Sequence, residues 1–120
     1  MGSFLSSTKK IKQGKDMAIE KTKKLSTAAP VVVFSKTYCG YSKRVKQLLT
    51  QLGASFKVVE LDEQTDIQGA LAEWTSQSTV PNVFIGGKHI GGCDTVMDKH
   101  QRGVLLPLLT DAGALANSSA

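Results

Sequence analysis

One uninterrupted stretch decides the fold of this chain: Val31-Val32-Val33-Phe34-Ser35-Lys36-Thr37-Tyr38-Cys39-Gly40-Tyr41-Ser42. Its first four residues are a short β-branched and aromatic run, which predicts a strand buried on both faces and central in its sheet. After a polar turn, one helix face follows at the i, i+3, i+4 and i+7 spacing, made of Val45, Leu48, Leu49 and Leu52. Gly53 stands where helices commonly end in a glycine. A strand therefore passes directly into a helix, with Cys39 at the junction.

The remaining segments predict an α/β fold. Hydrophobic spacing and turn residues indicate a first helix over 16–27, a strand over 56–61 parallel to the first, and a helix over 65–75. A hairpin follows, with a strand over 80–85 that has Pro81 at its start, a turn at Gly86-Gly87 and a strand over 88–90. Asp94 or Thr95 can cap a helix that runs to about Arg102, and a last helix covers 104–110. We expect a mixed four-stranded sheet with helices on both faces, because a parallel strand pair must be covered on both sides.

Length and composition fit a single domain. The chain has 120 residues, of which 41% are hydrophobic and 21% charged. We expect a flexible basic arm over 1–15, a folded domain over 16–113 and a frayed tail over 114–120. Seven lysines against Asp16 and Glu20 within residues 1–24 account for the whole net charge of +5, so the folded body is formally neutral. Nucleic-acid binding is therefore not expected, and the arm reads first as a solvated tail and second as a surface that lies on anionic partners.

Two cysteines, Cys39 and Cys93, are too few for a disulfide-rich secreted scaffold, and no N-terminal apolar segment resembles a signal peptide. No apolar run approaches the ~20 residues that a bilayer requires. We expect a reducing, cytoplasmic environment in which both thiols are free. His89 and His100 have no Cys or His partner at the spacing of a zinc site, and we expect both at the surface.

The position of Cys39 predicts a reactive thiol. The first amides of a helix have no intrahelical partner and the helix dipole is positive there, so the thiolate is favoured over the thiol. Lys36, Lys43 and Arg44 add positive charge nearby in the sequence. Thiols in such surroundings have pKa values of ~3.5–7.5 and are nucleophilic at neutral pH. The alternative, a buried and inert cysteine, fits poorly with these polar neighbours.

Ser42 takes the place at which a second cysteine would complete a C-x-x-C motif. A serine cannot resolve a mixed disulfide, so a disulfide formed on Cys39 needs an outside thiol or, much less readily, Cys93. Ser42 can still donate a hydrogen bond to the Cys39 thiolate, since three residues at a helix start bring the side chains together. Its alternative role is an ordinary solvent-facing serine of the first turn.

Three motifs together resemble the glutaredoxin family of the thioredoxin fold: Lys36-Thr37-Tyr38-Cys39-Gly40-Tyr41-Ser42, Thr79-Val80-Pro81 and Gly91-Gly92-Cys93-Asp94. The resemblance covers residues 17 to 112 and is greatest to plant class I glutaredoxins with a C-G-Y-C tetrad. This chain departs from them by having Ser42 in place of the second cysteine.

The resemblance implies glutathione as the ligand. Lys36 and Gln68 would hold its glycine carboxylate. Val80, before an expected cis-proline at Pro81, would offer its backbone to the cysteinyl part as an added strand would. Cys93 and Asp94 would bind the γ-glutamyl end at a helix N-terminus. Tyr41 would form a wall of the groove, and Thr79 and Gly92 complete the glutathione-binding set.

Cys93 admits two interpretations. It can be a packed small hydrophobic residue, which we favour because free cysteines are often buried. It can also be a spare thiol that is glutathionylated or links two subunits.

The resemblance implies two classes of function. The first is a glutathione-dependent oxidoreductase that removes glutathione from glutathionylated proteins through Cys39 alone. The second is a homodimer bridged by a 2Fe–2S cluster, with Cys39 and a glutathione sulfur from each subunit as ligands, acting as a carrier or redox sensor. Gly40 favours the second because it loosens the turn and leaves an N–H free near the sulfur.

The N-terminal residues Met1-Gly2-Ser3-Phe4-Leu5-Ser6 match the M-G-x-x-x-[ST] acylation pattern. The lysines that follow can supply a second, electrostatic signal for a membrane surface. The pattern is short and frequent by chance, and Met-Gly-Ser also occurs at engineered N-termini.

Overall fold

The computed structural model describes Gly14 and residues 16–115. A helix over 16–26 (α1) precedes a four-stranded sheet and four further helices. They are β1 (Val31–Ser35), α2 (Gly40–Gln51), β2 (Lys57–Glu60), α3 (Thr65–Thr75), β3 (Asn82–Ile85), β4 (Lys88–Gly91), α4 (Cys93–Gln101) and α5 (Leu105–Asp111). The predicted order of elements is confirmed.

The sheet has the order β2-β1-β3-β4, so β1 is internal as predicted. It pairs parallel to β2 and antiparallel to β3, and β3 forms an antiparallel hairpin with β4. Gly86 and Gly87 both adopt positive φ angles, 60° and 78°, which is the two-residue turn that glycine makes possible without steric cost. All five residues of β1 are buried, and the mixed sheet covered on both faces is confirmed.

Alternate residues of β1 point into two separate hydrophobic cores, as the period of two in a strand requires. Val31 and Val33 pack into one core with residues of α2, α4 and α5. Val32 and Phe34 pack into the other with residues of α3 and β2, against which Leu25 of α1 also packs. The sheet thus packs between two layers of helices, and the loop that follows β1 begins at a strand that is buried on both faces.

The hairpin strand begins later than its sequence predicts. Val80 and Pro81 were expected inside the strand, but β3 starts at Asn82. Proline has no N–H to donate to a ladder, and the Val80–Pro81 peptide bond is cis, as expected from the resemblance. Val80 therefore lies in a loop, with its backbone available outside the sheet.

The start of α4 and the end of the packed chain also differ from prediction. The N-cap of α4 is Gly92, so Cys93 and Asp94 belong to the first turn, and neither Asp94 nor Thr95 caps the helix. Ala114 was expected in a frayed tail, but it is buried, its carbonyl accepts a hydrogen bond from the Ser55 amide at 2.6 Å, and Leu115 pairs with Ala54. The packed chain thus extends at least to Leu115. The predicted arm, apart from Gly14, and the end of the predicted tail lie outside the described residues.

Candidate active site

Cys39 is the N-cap of α2 and is partly exposed. Its amide donates to the carbonyl of Lys36 at 3.0 Å, which closes a turn between β1 and the helix. Its sulfur donates to the carbonyl of Val80 at 3.6 Å. The thiol therefore lies where the start of α2 meets the loop that precedes β3.

The surroundings of Cys39 lower the pKa of its thiol. Partial burial is the largest single influence and opposes ionisation, but it is outweighed by hydrogen bonds from the Ser42 side chain and from the Ser42 and Tyr41 backbone, together with the positive charge of Lys46. These amides belong to the first turn of α2, so the helix start acts as the sequence predicted. The thiolate, which is the nucleophilic form, is thus favoured.

The cation that lowers the pKa of Cys39 is Lys46, and not the nearer residues in the sequence, Lys36, Lys43 and Arg44. Lys43 and Arg44 lie on exposed parts of α2, and the Lys36 ammonium lies 6.0 Å from the centre of the Tyr38 ring. Lys46 stands one helical turn further along α2 than Ser42, and its ammonium pairs with Glu60 of β2 at 3.4 Å. Proximity to Cys39 in the sequence therefore does not identify the charge that acts on its thiol.

Ser42 is completely buried, so the interpretation of a solvent-facing serine is wrong. Its hydroxyl has no partner of good hydrogen-bond geometry while Cys39 is a thiol that donates to Val80. The same hydroxyl lies beside the sulfur and lowers the thiol pKa, because a thiolate would accept its proton. A thiolate is a stronger hydrogen-bond acceptor than a thiol, so we expect the Ser42 hydroxyl to gain a partner when Cys39 ionises.

The loop before Cys39 is held by a carboxylate that sequence analysis missed. Asp62, just after β2, accepts hydrogen bonds from the Thr37 amide at 3.1 Å and the Thr37 hydroxyl at 2.6 Å. Both bonds lower the pKa of Asp62. The contact spans 25 residues of chain, so only the pairing of β1 with β2 brings these residues together.

A groove of about 550 Å³ opens beside Cys39 and is large enough for a small-molecule ligand. Seven of the predicted binding residues line it: Tyr41, Thr79, Val80, Pro81, Gly92, Cys93 and Asp94. Lys36 and Gln68, also predicted, do not line it. Gln77 and Thr95 do, and both were missed because neither belongs to a recognisable motif.

Two exposed aromatic residues flank Cys39. Tyr38 is 75% exposed and Tyr41 is 60% exposed, so both side chains reach solvent at positions close to Cys39 in the chain. Large exposed aromatic side chains are unusual on a free surface and are typical of contact sites. The opening of the groove is therefore suited to a bulky partner as well as to a small ligand.

Cys93 is buried, in agreement with the packed interpretation, and it belongs to the core shared by α2, α4 and α5. Burial raises the pKa of its thiol. One side of this residue nevertheless faces the groove. The two cysteines of one site are thus driven toward opposite protonation states.

No metal centre is built from protein side chains in the described part of the chain, where no three His, Cys, Asp or Glu residues cluster suitably. His89 and His100 are exposed, as predicted. The same residues include no helix long and apolar enough to cross a membrane. A single activated thiolate beside a groove, at the helix start of a thioredoxin-like sheet, defines a thiol-disulfide exchange site.

Comparison with known proteins agrees with this class. The glutaredoxin family model matches residues 31–90. The chain is 61% identical to glutaredoxin-C1 of Arabidopsis thaliana, over 99% of this chain and 98% of that protein. Its sequence is 68% identical to that of the holo form of glutaredoxin C1 from Populus tremula x tremuloides. The crystal structure of that protein matches with a TM-score of 0.83 over 87% of this chain and 96% of that one. The buckwheat glutaredoxin–glutathione complex is 58% identical, with a TM-score of 0.83 over 87% and 97% of the two chains.

The chain belongs to the glutaredoxin family. It resembles the plant class I members, and it is a glutathione-dependent thiol oxidoreductase.

Proposed function

We propose that the protein removes glutathione from glutathionylated proteins by a monothiol mechanism in which Cys39 is the only catalytic cysteine. The observation that carries this proposal is the partly exposed Cys39 thiol, with a lowered pKa, in direct contact with the carbonyl of Val80 at the edge of the groove.

The reaction has two exchange steps. In the first, the Cys39 thiolate attacks the glutathione sulfur of the mixed disulfide; a bond forms between these two sulfurs and the substrate sulfur leaves as a thiolate. In the second, the thiolate of a second glutathione attacks the glutathione sulfur bound to Cys39. Glutathione disulfide leaves and the Cys39 thiolate is restored, so no external oxidant is required.

The groove walls offer complementary groups for glutathione. Val80 stands outside the sheet and presents its peptide groups, as an edge strand does. The first turn of α4 has amides without intrahelical partners at Cys93, which suit a carboxylate, and Asp94 nearby suits an ammonium. Thr79, Pro81 and Gly92 line the space between. The glutathione bound to the similar buckwheat protein supports this assignment.

The glycine carboxylate of glutathione is assigned to Lys36 and Gln68, which do not line the groove. Lys36 belongs to the turn that ends at Cys39 and is half-buried, with its ammonium near the Tyr38 ring. Gln68 is half-buried on α3. The lysine side chain has rotatable bonds enough to reach a ligand that extends along the Tyr38 side, and this assignment stays a prediction.

The monothiol mechanism is supported by the two other residues that could take part in a disulfide exchange, Ser42 and Cys93. Ser42 cannot form a disulfide. Cys93 is 6% exposed and the pKa of its thiol is raised, so it is a poor nucleophile toward Cys39. Dissolved glutathione meets neither obstacle. An external thiol therefore resolves the mixed disulfide on Cys39.

Turnover of a glutathionylated protein, followed as glutathione disulfide formed, tests the proposal. We expect Cys39→Ser to abolish turnover, because the hydroxyl is not ionised at neutral pH. We expect Cys93→Ser to retain it, since Cys93 takes no part in either step. Turnover that persists in Cys39→Ser contradicts the proposal.

A second candidate function is the binding of a 2Fe–2S cluster between two subunits. The observation in its favour is the uncrowded surface at Gly40, the residue after Cys39, where an added side chain would meet no atom within 4 Å. Cys39 would hold one iron, with the other thiolates coming from glutathione and a second subunit, because the described residues of one chain supply no cluster of ligands. The bound group would make the dimer a carrier or sensor.

Anaerobic reconstitution with glutathione, iron and sulfide, followed by a visible spectrum and size exclusion, tests this second function. Colour that elutes with a dimer and is lost in Cys39→Ser supports it. A colourless monomer contradicts it and leaves the reductase function intact.

We also propose that the enzyme works in the cytoplasm and reaches membrane surfaces through acylation of Gly2. The support is the sequence pattern of residues 1–6 and the lysines after it; the pattern and the lysines at 9, 10, 12 and 15 lie outside the described residues. Gly2→Ala should shift the protein from the membrane fraction to the supernatant. Unchanged partitioning contradicts the proposal.

A further inference from the structure

Gln77 makes two hydrogen bonds that bracket Val80. Its side-chain amide donates to the carbonyl of Thr79 at 3.1 Å and to the carbonyl of Pro81 at 3.0 Å. A primary amide has two N–H groups, so one side chain can serve both carbonyls. The residue between these carbonyls is the one whose own carbonyl contacts the Cys39 sulfur.

The first of these bonds fixes the direction of the Val80 N–H. The carbonyl of Thr79 and the N–H of Val80 belong to the same planar peptide group, so a carbonyl held in place holds the N–H on the opposite side of that plane. The second bond fixes the chain on the other side of Val80, through Pro81. The Val80 carbonyl then lies between two anchored peptide groups.

Gln77 is itself held from behind. The Thr75 hydroxyl donates to the carbonyl of Leu71 at 2.7 Å and accepts from the Gln77 amide N–H at 3.2 Å and from the Asn82 side chain at 3.3 Å. One hydroxyl thus links the end of α3, the Gln77 backbone and the start of β3. The side chain of Gln77 reaches the Val80 loop from a fixed base.

The Gln77 amide also lies against the opposite wall of the groove. A side-chain carbon added at Gly92 would stand 3.6 Å from the amide nitrogen and 3.4 Å from the carbonyl of Pro81. The loop that carries Val80 and the turn that begins α4 therefore meet at Gln77. Its position influences both walls between which a ligand would lie.

We propose that Gln77 is a positioning residue for the glutathione part of the substrate, acting through Val80. This inference rests on the proposed pairing of glutathione with the Val80 backbone. Gln77 holds the Val80 N–H and C=O in the orientation that an added strand needs, so the ligand does not have to order the loop when it binds. Cys39 reactivity toward disulfides that lack glutathione does not depend on this pairing.

The test measures the reaction of two substrates with the wild type and with two variants. One peptide is prepared as its mixed disulfide with glutathione and, separately, as its mixed disulfide with cysteine, and the second-order rate constant of Cys39 with each is measured by rapid quench and mass spectrometry. Gln77→Met keeps the length of the side chain and removes both donors. Gln51→Met, at the exposed end of α2, is the matched control.

For Gln77→Met we expect a loss of about 10-fold in the rate constant with the glutathionylated peptide, the size that two weakened hydrogen bonds can produce. The rate constant with the cysteinylated peptide and the pKa of Cys39, measured by thiolate absorbance, should stay as in the wild type. Gln51→Met should change none of the three quantities.

Equal losses with both peptides, or an undiminished preference for the glutathionylated peptide, overturn the inference. If Gln77→Met does not fold, Gln77→Glu has the same length and also lacks the donors, and failure of both to fold overturns the inference in favour of a purely structural role. If the wild type itself shows no preference between the peptides, the proposed glutathione groove is refuted. That outcome is distinct from one in which the wild type prefers the glutathionylated peptide and Gln77→Met does so equally, which refutes only the role of Gln77.

Discussion

Ser42→Ala should make the protein more stable and its thiol less acidic. The Ser42 hydroxyl is buried and has no good partner while Cys39 is protonated, but it stabilises the Cys39 thiolate. Alanine removes the oxygen and keeps the Cβ, so the surrounding packing is little changed. The substitution thus separates the contribution of this residue to stability from its contribution to reactivity.

The magnitude follows from burial. A buried hydroxyl that lacks a hydrogen-bond partner costs about 1–3 kcal/mol of stability. We take the lower end, since a thiol is adjacent, and expect Ser42→Ala to raise the free energy of unfolding by about 1 kcal/mol in the pH range where Cys39 is protonated. For a domain of this size, that corresponds to a rise of about 4 °C in Tm.

The gain should depend on pH in one direction. Because the pKa of Cys39 is lowered in the folded protein, ionisation stabilises the fold once the pH exceeds that pKa, up to the ordinary thiol pKa of about 8.5. Ser42 contributes to this effect and alanine cannot. The advantage of Ser42→Ala should therefore shrink as the pH rises through the folded pKa of Cys39.

Urea denaturation at a series of pH values, with thiolate absorbance on the same samples, measures both effects. Ser26→Ala is the matched control, because Ser26 is equally buried but donates to the carbonyl of Lys23 at 2.6 Å. It should lower stability or leave it unchanged at every pH. In a Cys39→Ala background, the gain from Ser42→Ala should lose its pH dependence.

A Ser42→Ala protein that is less stable than the wild type where Cys39 is protonated would refute the reasoning, because the hydroxyl would then have a partner. An unchanged pKa of Cys39 in the variant would refute the second half, the contact between hydroxyl and thiolate.

Three further predictions concern the frame around Cys39 and the core. Asp62→Asn should speed hydrogen exchange at the Thr37 amide near neutral pH. Because the folded pKa of Asp62 is depressed, the exchange rate of the wild type should approach that of the variant only as acid protonates this carboxylate. Equal exchange rates at neutral pH would contradict this. Lys46→Gln should raise the pKa of Cys39 in a thiolate titration, whereas Glu60→Gln, which frees Lys46 from its ion pair, should lower it; the same direction in both would count against a charge effect. Leu109→Ala, in the core beneath α5, should cost about 2–5 kcal/mol in urea denaturation, and a cost below about 1 kcal/mol would show that this helix packs loosely.

The fold was predictable from sequence because its signals are local. The β-branched run of β1, the helical stripe from Val45 to Leu52 and the Gly86-Gly87 turn each determine their own segment, and their order leaves few topologies. The errors fell where tertiary contacts override local preference. Ala114 has a small, unremarkable side chain in a polar stretch, and only its pairing with Ser55 makes it part of the core.

The candidate site was predictable where a residue type has a specific chemistry. Cys39 at a helix start was found in this way. The backbone of Val80 and the other binding residues were inferred from the resemblance of three motifs to the glutaredoxin family, and seven of the predicted binding residues do line one groove. Residues that act by holding others were missed. Asp62, Gln77 and Lys46 have ordinary types in ordinary places, and their contacts join segments distant in sequence or depend on a side chain's direction.

The central claim is that Cys39 alone carries the exchange and that an outside thiol resolves it. Intact-mass analysis after the reduced protein is mixed with one equivalent of glutathione disulfide tests this most directly. The exchange releases one glutathione, which is removed by desalting because it could reverse the step. We then predict an adduct of one glutathionyl group on Cys39 that persists until glutathione is added. Rapid loss of the adduct without added thiol, with a disulfide between Cys39 and Cys93 in its place, would contradict the account.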